Sequence, residues 1–109
     1  MAQAYKVLAQ SAPAATTSTD MYTVGAGLQI VASTVTICNR GGSSATYRIA
    51  VRNGGAGLAN QHYIAYDAAV LANDTVALTL GLTLQATDII TIYASNANLS
   101  FNIFGCELT

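Results

Sequence analysis

His62 and Asp67 are the residues that come nearest to a catalytic pattern in this chain. His62 is the single histidine, and a Ser-His-Asp set would need it together with the nearby aspartate. The two lie five positions apart in one predicted strand, where alternating side chains put them on opposite faces. No G-x-S-x-G turn accompanies them. We therefore interpret His62 as a solvent-facing or interface residue, and we expect no enzymatic activity.

The sequence also offers too few ligands for a metal or cofactor site. Zinc takes three or four ligands, whereas Cys38, His62 and Cys106 are far apart in the sequence. The acidic residues stand singly, unlike those of a calcium loop, and the glycine clusters lack the lysine and helix of a phosphate-binding loop. We expect no metal and no cofactor. With no sign of export, the cysteines are expected to be free thiols rather than a disulfide.

Three arginines remain to be explained. Arg40, Arg48 and Arg52 are expected on one hairpin, with the last two on the same strand face, and Tyr63 and Tyr66 follow on the next segment. Arginine and tyrosine combine apolar area with directed hydrogen bonds, and they often anchor protein interfaces. We predict an interface that uses these five residues and His62. The alternative is a solvated strand face.

The composition also indicates association. Only 8% of the 109 residues are charged, against about 25% in an ordinary soluble domain, and the formal net charge is −1. Binding to nucleic acid through a basic face is excluded, because counterion release needs several clustered cations. A free small domain usually covers its surface with about 25–35% charged residues. The sequence therefore predicts a domain packed against copies of itself or against other proteins.

The sequence gives no support for a membrane-spanning protein or for an exported one. No apolar run approaches the 18 or more residues of a membrane-spanning helix, so no membrane partner is expected. The first ten residues lack the apolar stretch and cleavage pattern of a signal peptide.

Hydrophobic residues alternate with period two along most of the chain, as in half-buried strands. Turn signals rich in glycine and asparagine separate these segments. One helical turn is conceivable at 68–72. The predicted strands cover residues 5–9, 21–24, 28–39, 45–53, 61–68, 75–82, 88–95 and 99–108. Seven or eight short strands predict an all-β fold, a single antiparallel β-sandwich or jelly roll.

The first 20 residues have a different character. The segment 10–20 contains the only proline of the chain and no large apolar residue, so it is predicted to be a flexible connection or an extended arm. Tyr5, Lys6, Val7 and Leu8 before it could add as a strand to a sheet edge. The edge belongs to the same domain or, alternatively, to a neighbouring copy. We expect a strand and arm over 1–20 and the sandwich over 21–109.

Several sequence segments, which together extend over nearly all of the chain, carry a family resemblance. They are Tyr5-Lys6-Val7-Leu8-Ala9-Gln10-Ser11-Ala12-Pro13-Ala14-Ala15-Thr16-Thr17, Met21-Tyr22-Thr23-Val24, Cys38-Asn39-Arg40-Gly41, Tyr47-Arg48-Ile49-Ala50-Val51-Arg52, Ala59-Asn60-Gln61-His62-Tyr63-Ile64, Ala72-Asn73-Asp74-Thr75 and Phe101-Asn102-Ile103-Phe104-Gly105-Cys106-Glu107. In these the chain resembles small structural proteins in the virions of tailed bacteriophages, including cyanophages.

The resemblance implies a β-sandwich particle component without catalysis, assembled in the host cytoplasm and located in the virion. It agrees best with a capsid decoration, or cement, protein. Such a protein would form a homo-oligomer, expected to be a trimer, on the major capsid protein or another structural protein. The alternative is a tail, neck, collar, baseplate or fibre component, in which exposed tyrosines contact host glycan. A secreted bacterial lectin is a more distant alternative.

Overall fold

The computed structural model describes residues 3–109, and almost all of its regular structure is β-strand. The alternating apolar residues form antiparallel strands because one face of each strand can then be buried. The strands are β1 (Gln3–Ser11), β2 (Thr19–Thr23), β3 (Gln29–Asn39), β4 (Ala45–Arg52), β5 (Tyr63–Val70), β6 (Thr75–Gln85), β7 (Ile89–Ala94) and β8 (Leu99–Leu108). Short 3₁₀ turns cover Asn53–Gly55 and Asn60–His62. The predicted all-β class is confirmed.

The strands form two four-stranded antiparallel sheets packed as a sandwich. Sheet I has the order β1-β8-β3-β6, and sheet II has the order β2-β7-β4-β5. Every connection except β4–β5 passes from one sheet to the other, so the topology is that of a jelly roll.

The core lies between the sheets and is aliphatic for the most part. Sheet I contributes Ile37, Phe101 and Ile103, and sheet II contributes Tyr47 and Ile49, all buried. The rings of Tyr47 and Phe101 meet edge to face across the sandwich, with centroids 6.4 Å apart. Each fully buried aliphatic or aromatic side chain contributes about 1.5–3 kcal/mol.

Two buried polar residues hold the connections at the ends of the sandwich. Asn39 donates through Nδ2 to the carbonyl oxygens of Ser43 and Val70, and its Oδ1 accepts from the Gly41 N–H. Asp88 accepts from the N–H groups of Gly54 and Gln85 at 2.7 and 3.0 Å. Both side chains are thus satisfied, as burial of a polar group requires.

The structure corrects two details of the predicted pattern. The expected alternation puts Leu80 inward with Val76 and Leu78, but the pairing of β6 with β3 shifts beside Gly81, whose φ is +62°, and Leu80 is 44% exposed. The irregular pairing leaves Leu80 exposed, whereas Leu78 and Leu82 on either side of it stay half-buried. The possible helical turn at 68–72 is wrong, because β5 continues to Val70.

The N-terminal segment belongs to the sandwich. Strand β1 pairs with β8 of the same chain, so of the two placements left open by the sequence the structure has the intramolecular one. Residues 12–18 cross to sheet II, where the Thr16 N–H donates to the Ala94 carbonyl oxygen at 2.8 Å and Pro13 is buried. The boundary expected after residue 20 coincides with no break, since Asp20 already lies within β2.

Candidate functional site

The outer face of sheet II carries a row of stacked aromatic and cationic side chains, here called the tyrosine–arginine ladder: Tyr63, Tyr66, Arg48 and Tyr93. The Arg48 guanidinium carbon lies 4.3 Å from the ring centroid of Tyr66 and 4.2 Å from that of Tyr93. Tyr63 and Tyr66 meet edge to face at 4.9 Å. Because β5, β4 and β7 are neighbours in the sheet, the four side chains form one continuous row.

Asp67 fixes the arginine within this row. Arg48 Nε donates to Asp67 Oδ1 at 2.7 Å, and Nη2 donates to Oδ2 at 3.4 Å. The hydrogen bond that Arg48 donates to Asp67 raises the pKa of Arg48, desolvation opposes the rise, and the charge of Asp67 adds to it. The guanidinium therefore stays charged, and it pairs with the carboxylate while it lies over both aromatic rings.

Arg52 occupies a second polar network on the same face. Its Nη1 donates to Asp20 Oδ1 at 2.8 Å, and its Nε donates to the Ala56 carbonyl oxygen at 2.7 Å. Thr91 Oγ1 also donates to Asp20 Oδ1, at 2.9 Å. The network joins β2, β7 and β4 to the loop that follows β4.

Arg40 is separate from the other two arginines, which corrects one expectation. It follows β3, which belongs to sheet I, whereas β4 belongs to sheet II, so the connection is an arch between sheets and not a hairpin. Arg40 Nη2 donates to the Ala97 carbonyl oxygen at 3.0 Å. The shared face of Arg48 and Arg52 is as expected.

His62 and Asp67 have different partners. The Ala59 N–H donates to His62 Nδ1 at 3.0 Å, so the imidazole closes the turn before β5. Asp67 has φ of +49° at a bulge and turns towards Arg48 instead.

The edge of the ladder forms a small concave corner. Asn60, Tyr63 and Tyr66 line a depression of about 280 Å³, and the two rings stand at 86° to each other. Tyr66 is 57% exposed. Two perpendicular rings beside an amide can bind a flat ligand by stacking and one or two hydrogen bonds.

The four predicted interface residues of the N-terminal strand divide between two sides of β1. Tyr5 and Val7 are exposed on the outer side of sheet I, with 82% and 47% of their surface accessible. Lys6 alternates to the other side and pairs with Glu107 at 3.1 Å. Leu8, at the bulge of β1, packs against the core.

A feature that the sequence reasoning missed is the outer face of sheet I, here called the charge-free face. Its cross-strand rows are Gln3–Leu108–Gln29–Gln85, Tyr5–Cys106–Val31–Thr83, Val7–Phe104–Thr34–Thr79, Gln10–Asn102–Thr36–Ala77 and Ser100–Cys38–Thr75. None of these residues is charged. The charged residues of sheet I, Lys6 and Glu107, alternate to the inner side. Strand pairing was needed to see this, because the residues come from four separated segments.

Other features add no chemistry. Within residues 3–109, no three or more His, Cys, Asp or Glu side chains are grouped as metal ligands, and no helix there is long and apolar enough to cross a membrane. A depression of about 410 Å³ at one end of the sandwich includes Asp88, whose carboxylate is occupied by backbone N–H groups. No protein-family model and no curated protein matches the chain.

Proposed function

We propose that this protein is a structural component of a tailed-bacteriophage virion, a decoration protein that binds the outer surface of the capsid as a homo-oligomer and stabilises the head. Its contact on the particle would be the major capsid protein or another structural protein, and a trimer is the expected oligomer. No catalysis is proposed. The fold class accommodates this role without requiring it, since jelly rolls occur in capsid proteins and lectins alike.

The observation that carries the proposal is the exposure of large apolar side chains on the edge strands of the two sheets. Three of these strands expose large apolar side chains: β1 exposes Tyr5 and Val7, β5 exposes Ile64 and Tyr66, and β6 exposes Leu80 and carries no charge at all. Exposed apolar groups on a chain this poor in charge favour a protein held by neighbours.

The edges also favour a closed assembly over a fibre. The pairing of each edge strand with its neighbour shifts register at least once. Bulges of this kind hinder the addition of further strands to an edge. Contacts with neighbours would therefore be made by side chains, as in a particle of fixed size.

The stabilisation would follow from mass action. A protein that binds only the assembled lattice shifts the equilibrium towards that lattice. Several contacts from one oligomer add through effective concentration, so individually weak contacts suffice.

Copy number and heat resistance test the proposal. Quantitative mass spectrometry of purified virions is expected to find hundreds of copies per particle, and particles lacking the protein should release DNA at lower temperature or after osmotic shock. Particles that contain no copies, or whose DNA retention is unchanged without them, would refute the decoration role.

The concave corner of Asn60, Tyr63 and Tyr66 favours a second candidate, a tail or baseplate component that contacts host glycan. A few dozen copies or fewer per virion, with intact heads and lost adsorption after deletion, would support this candidate. A Tyr66→Ala virion should then adsorb poorly, whereas Leu71→Ala, an exposed change outside the corner, should adsorb normally.

A further inference from the structure

We infer that the charge-free face of sheet I is the surface through which copies of this chain bind each other. The inference rests on the proposed homo-oligomeric role and deepens it by assigning the contact surface. A face that binds the same face of another copy gives a two-fold dimer, so the inference puts a dimer in place of the trimer that the resemblance implies.

Charge is distributed unequally between the two sides of the sandwich. Sheet II carries Asp20, Arg48, Arg52 and Asp67 on its strands, whereas the rows of the charge-free face contain only uncharged side chains. An interface between such faces would desolvate no ion, so it would avoid the cost of burying a charge.

One half of the face is apolar and supplies a centre for the contact. Tyr5, Val7, Val31, Phe104 and Cys106 come together there from β1, β8 and β3. Tyr5 and Val7 are among the exposed large hydrophobic residues of the chain. Aromatic anchors surrounded by uncharged polar groups are typical of interface centres, and here threonine and asparagine occupy the other half of the face.

The area is sufficient for association. Four strands about 4.8 Å apart and about ten residues long cover about 600 Å² before the pleat and rims are counted. A biological interface needs to bury about 1,000 Å² in total, or about 500 Å² on each partner, although a standard one buries about 800 Å² on each.

The absence of charge also determines the kind of partner. A partner rich in charged groups would lose their hydration against this face without gaining an ion pair. The partner must therefore present an uncharged surface of similar size, and another copy of the same face has this property. Sheet-on-sheet packing of this kind repeats the packing that holds the two sheets of the sandwich together.

Sedimentation velocity of the purified chain tests the inference without any virus particle. The wild-type chain should show concentration-dependent oligomers. Val7→Lys should weaken the association about tenfold or more, because it brings lysines of neighbouring copies together. Ala69→Lys, an exposed substitution on β5 outside the face, is the matched control and should associate like the wild type. Unchanged circular dichroism and melting temperature would show that both variants fold.

The two native thiols provide an independent measurement. Cys38 and Cys106 lie in different rows of the face, and both are partly exposed in the single chain. Their alkylation by a maleimide should slow as the protein concentration rises, and Val7→Lys should abolish this protection.

Three results would overturn the inference: a monomer at millimolar concentration and low salt, association disrupted by Ala69→Lys but not by Val7→Lys, or thiols that react equally at all concentrations. The decoration role would survive the last two of them if virions carry many copies, because an oligomer built on another surface could still bind a shell. A monomer would also refute the homo-oligomeric part of the proposed function. Conversely, the purified chain could form oligomers through this face and yet be absent from virions. That result would refute the proposed function and leave the inference about the surface intact.

Discussion

Arg48 and Asp67 form a planar ion pair across a β-bulge, with Nε and Oδ1 2.7 Å apart. The bulge places both Tyr66 and Asp67 opposite Arg48, since Tyr47 pairs with Ala68 and Ile49 pairs with Ala65. The left-handed φ of Asp67, +49°, turns its carboxylate towards the guanidinium. One irregularity of β5 therefore supplies both a stacking ring and a counter-ion to the same arginine.

We predict that Arg48→Lys will lose most of the stability lost by Arg48→Ala. A lysine keeps the charge but cannot stack a planar fork between Tyr66 and Tyr93 while it pairs with Asp67. Urea denaturation of the wild type and both variants measures this. Full retention of stability by the lysine variant would show that the charge alone suffices. Arg40→Lys, on a loop, is the control.

The positions of the three arginines show what could be predicted from the sequence and what could not. Alternation placed Arg48 and Arg52 on one face, and this is correct because β4 pairs with β7 without a register shift from Tyr47 to Arg52. Arg40 was grouped with them because it is close in sequence. Its separation depends on β3 and β4 lying in different sheets, which is a property of long-range pairing and leaves no local signal.

Gly105 is expected to tolerate no side chain. A Cβ at this position would clash with the Val31 carbonyl oxygen and lie 2.8 Å from the Ala32 Cα, both backbone atoms of the neighbouring strand. Gly105→Ala should lower the free energy of unfolding by about 3 kcal/mol or more. Gly57→Ala meets no atom within 4 Å and should be nearly neutral. Thermal and urea denaturation of both variants test this, and equal stabilities would contradict it.

Asp88 is predicted to stabilise the end of the sandwich through backbone contacts alone. It is 5% exposed, and its carboxylate oxygens accept one N–H from the turn after β4 and one from the end of β6. Asp88→Ala would remove two part-buried hydrogen bonds to a charged acceptor and should cost about 3 kcal/mol. Asp74→Ala removes a single exposed hydrogen bond, to the adjacent Thr75 N–H, and should cost far less. A similar loss in the two variants on urea denaturation would argue against the bridging role.

Strand β1 is predicted to be needed for folding. Deletion of residues 1–11 would expose the edge of β8, remove Leu8 and Ala9 from the core and leave Glu107 without Lys6. Exposed strand edges promote aggregation. The truncated chain should therefore melt at lower temperature and elute in part as aggregates on size exclusion. A stable, monodisperse truncation would show that the segment is a separable arm, as the sequence pattern of 1–20 predicts.

The sequence located the strands better than it located the surfaces. The last strand, Leu99–Leu108, has the predicted bounds because Leu99, Phe101 and Ile103 alternate without interruption into the core. The ladder and the charge-free face required knowledge of which strands are neighbours and where they bulge. Side chains that share a sheet face across strands are remote in sequence, so local periodicity does not identify them.

The stability of the sandwich is expected to fall above pH 10. Burial raises the pKa of Tyr47 above its ordinary value of 10.0, and burial with the charge of Glu107 raises that of Tyr22 despite the opposing effect of Lys6. Below pH 10 both tyrosines are neutral in the folded and unfolded chains, so this contribution is fully present. As the pH rises further the unfolded chain loses these protons first, which favours unfolding.

For Tyr47 the decrease in the free energy of unfolding is at most about 1.4 kcal/mol per pH unit above 10. Urea denaturation between pH 8 and pH 11.5 measures the slope. Tyr47→Phe removes the titrating group and should make the slope shallower. Ile49→Val, a core substitution without an ionisable group, should lower stability equally at every pH and leave the slope unchanged. If Tyr47→Phe keeps the wild-type slope, another group causes the loss of stability at high pH.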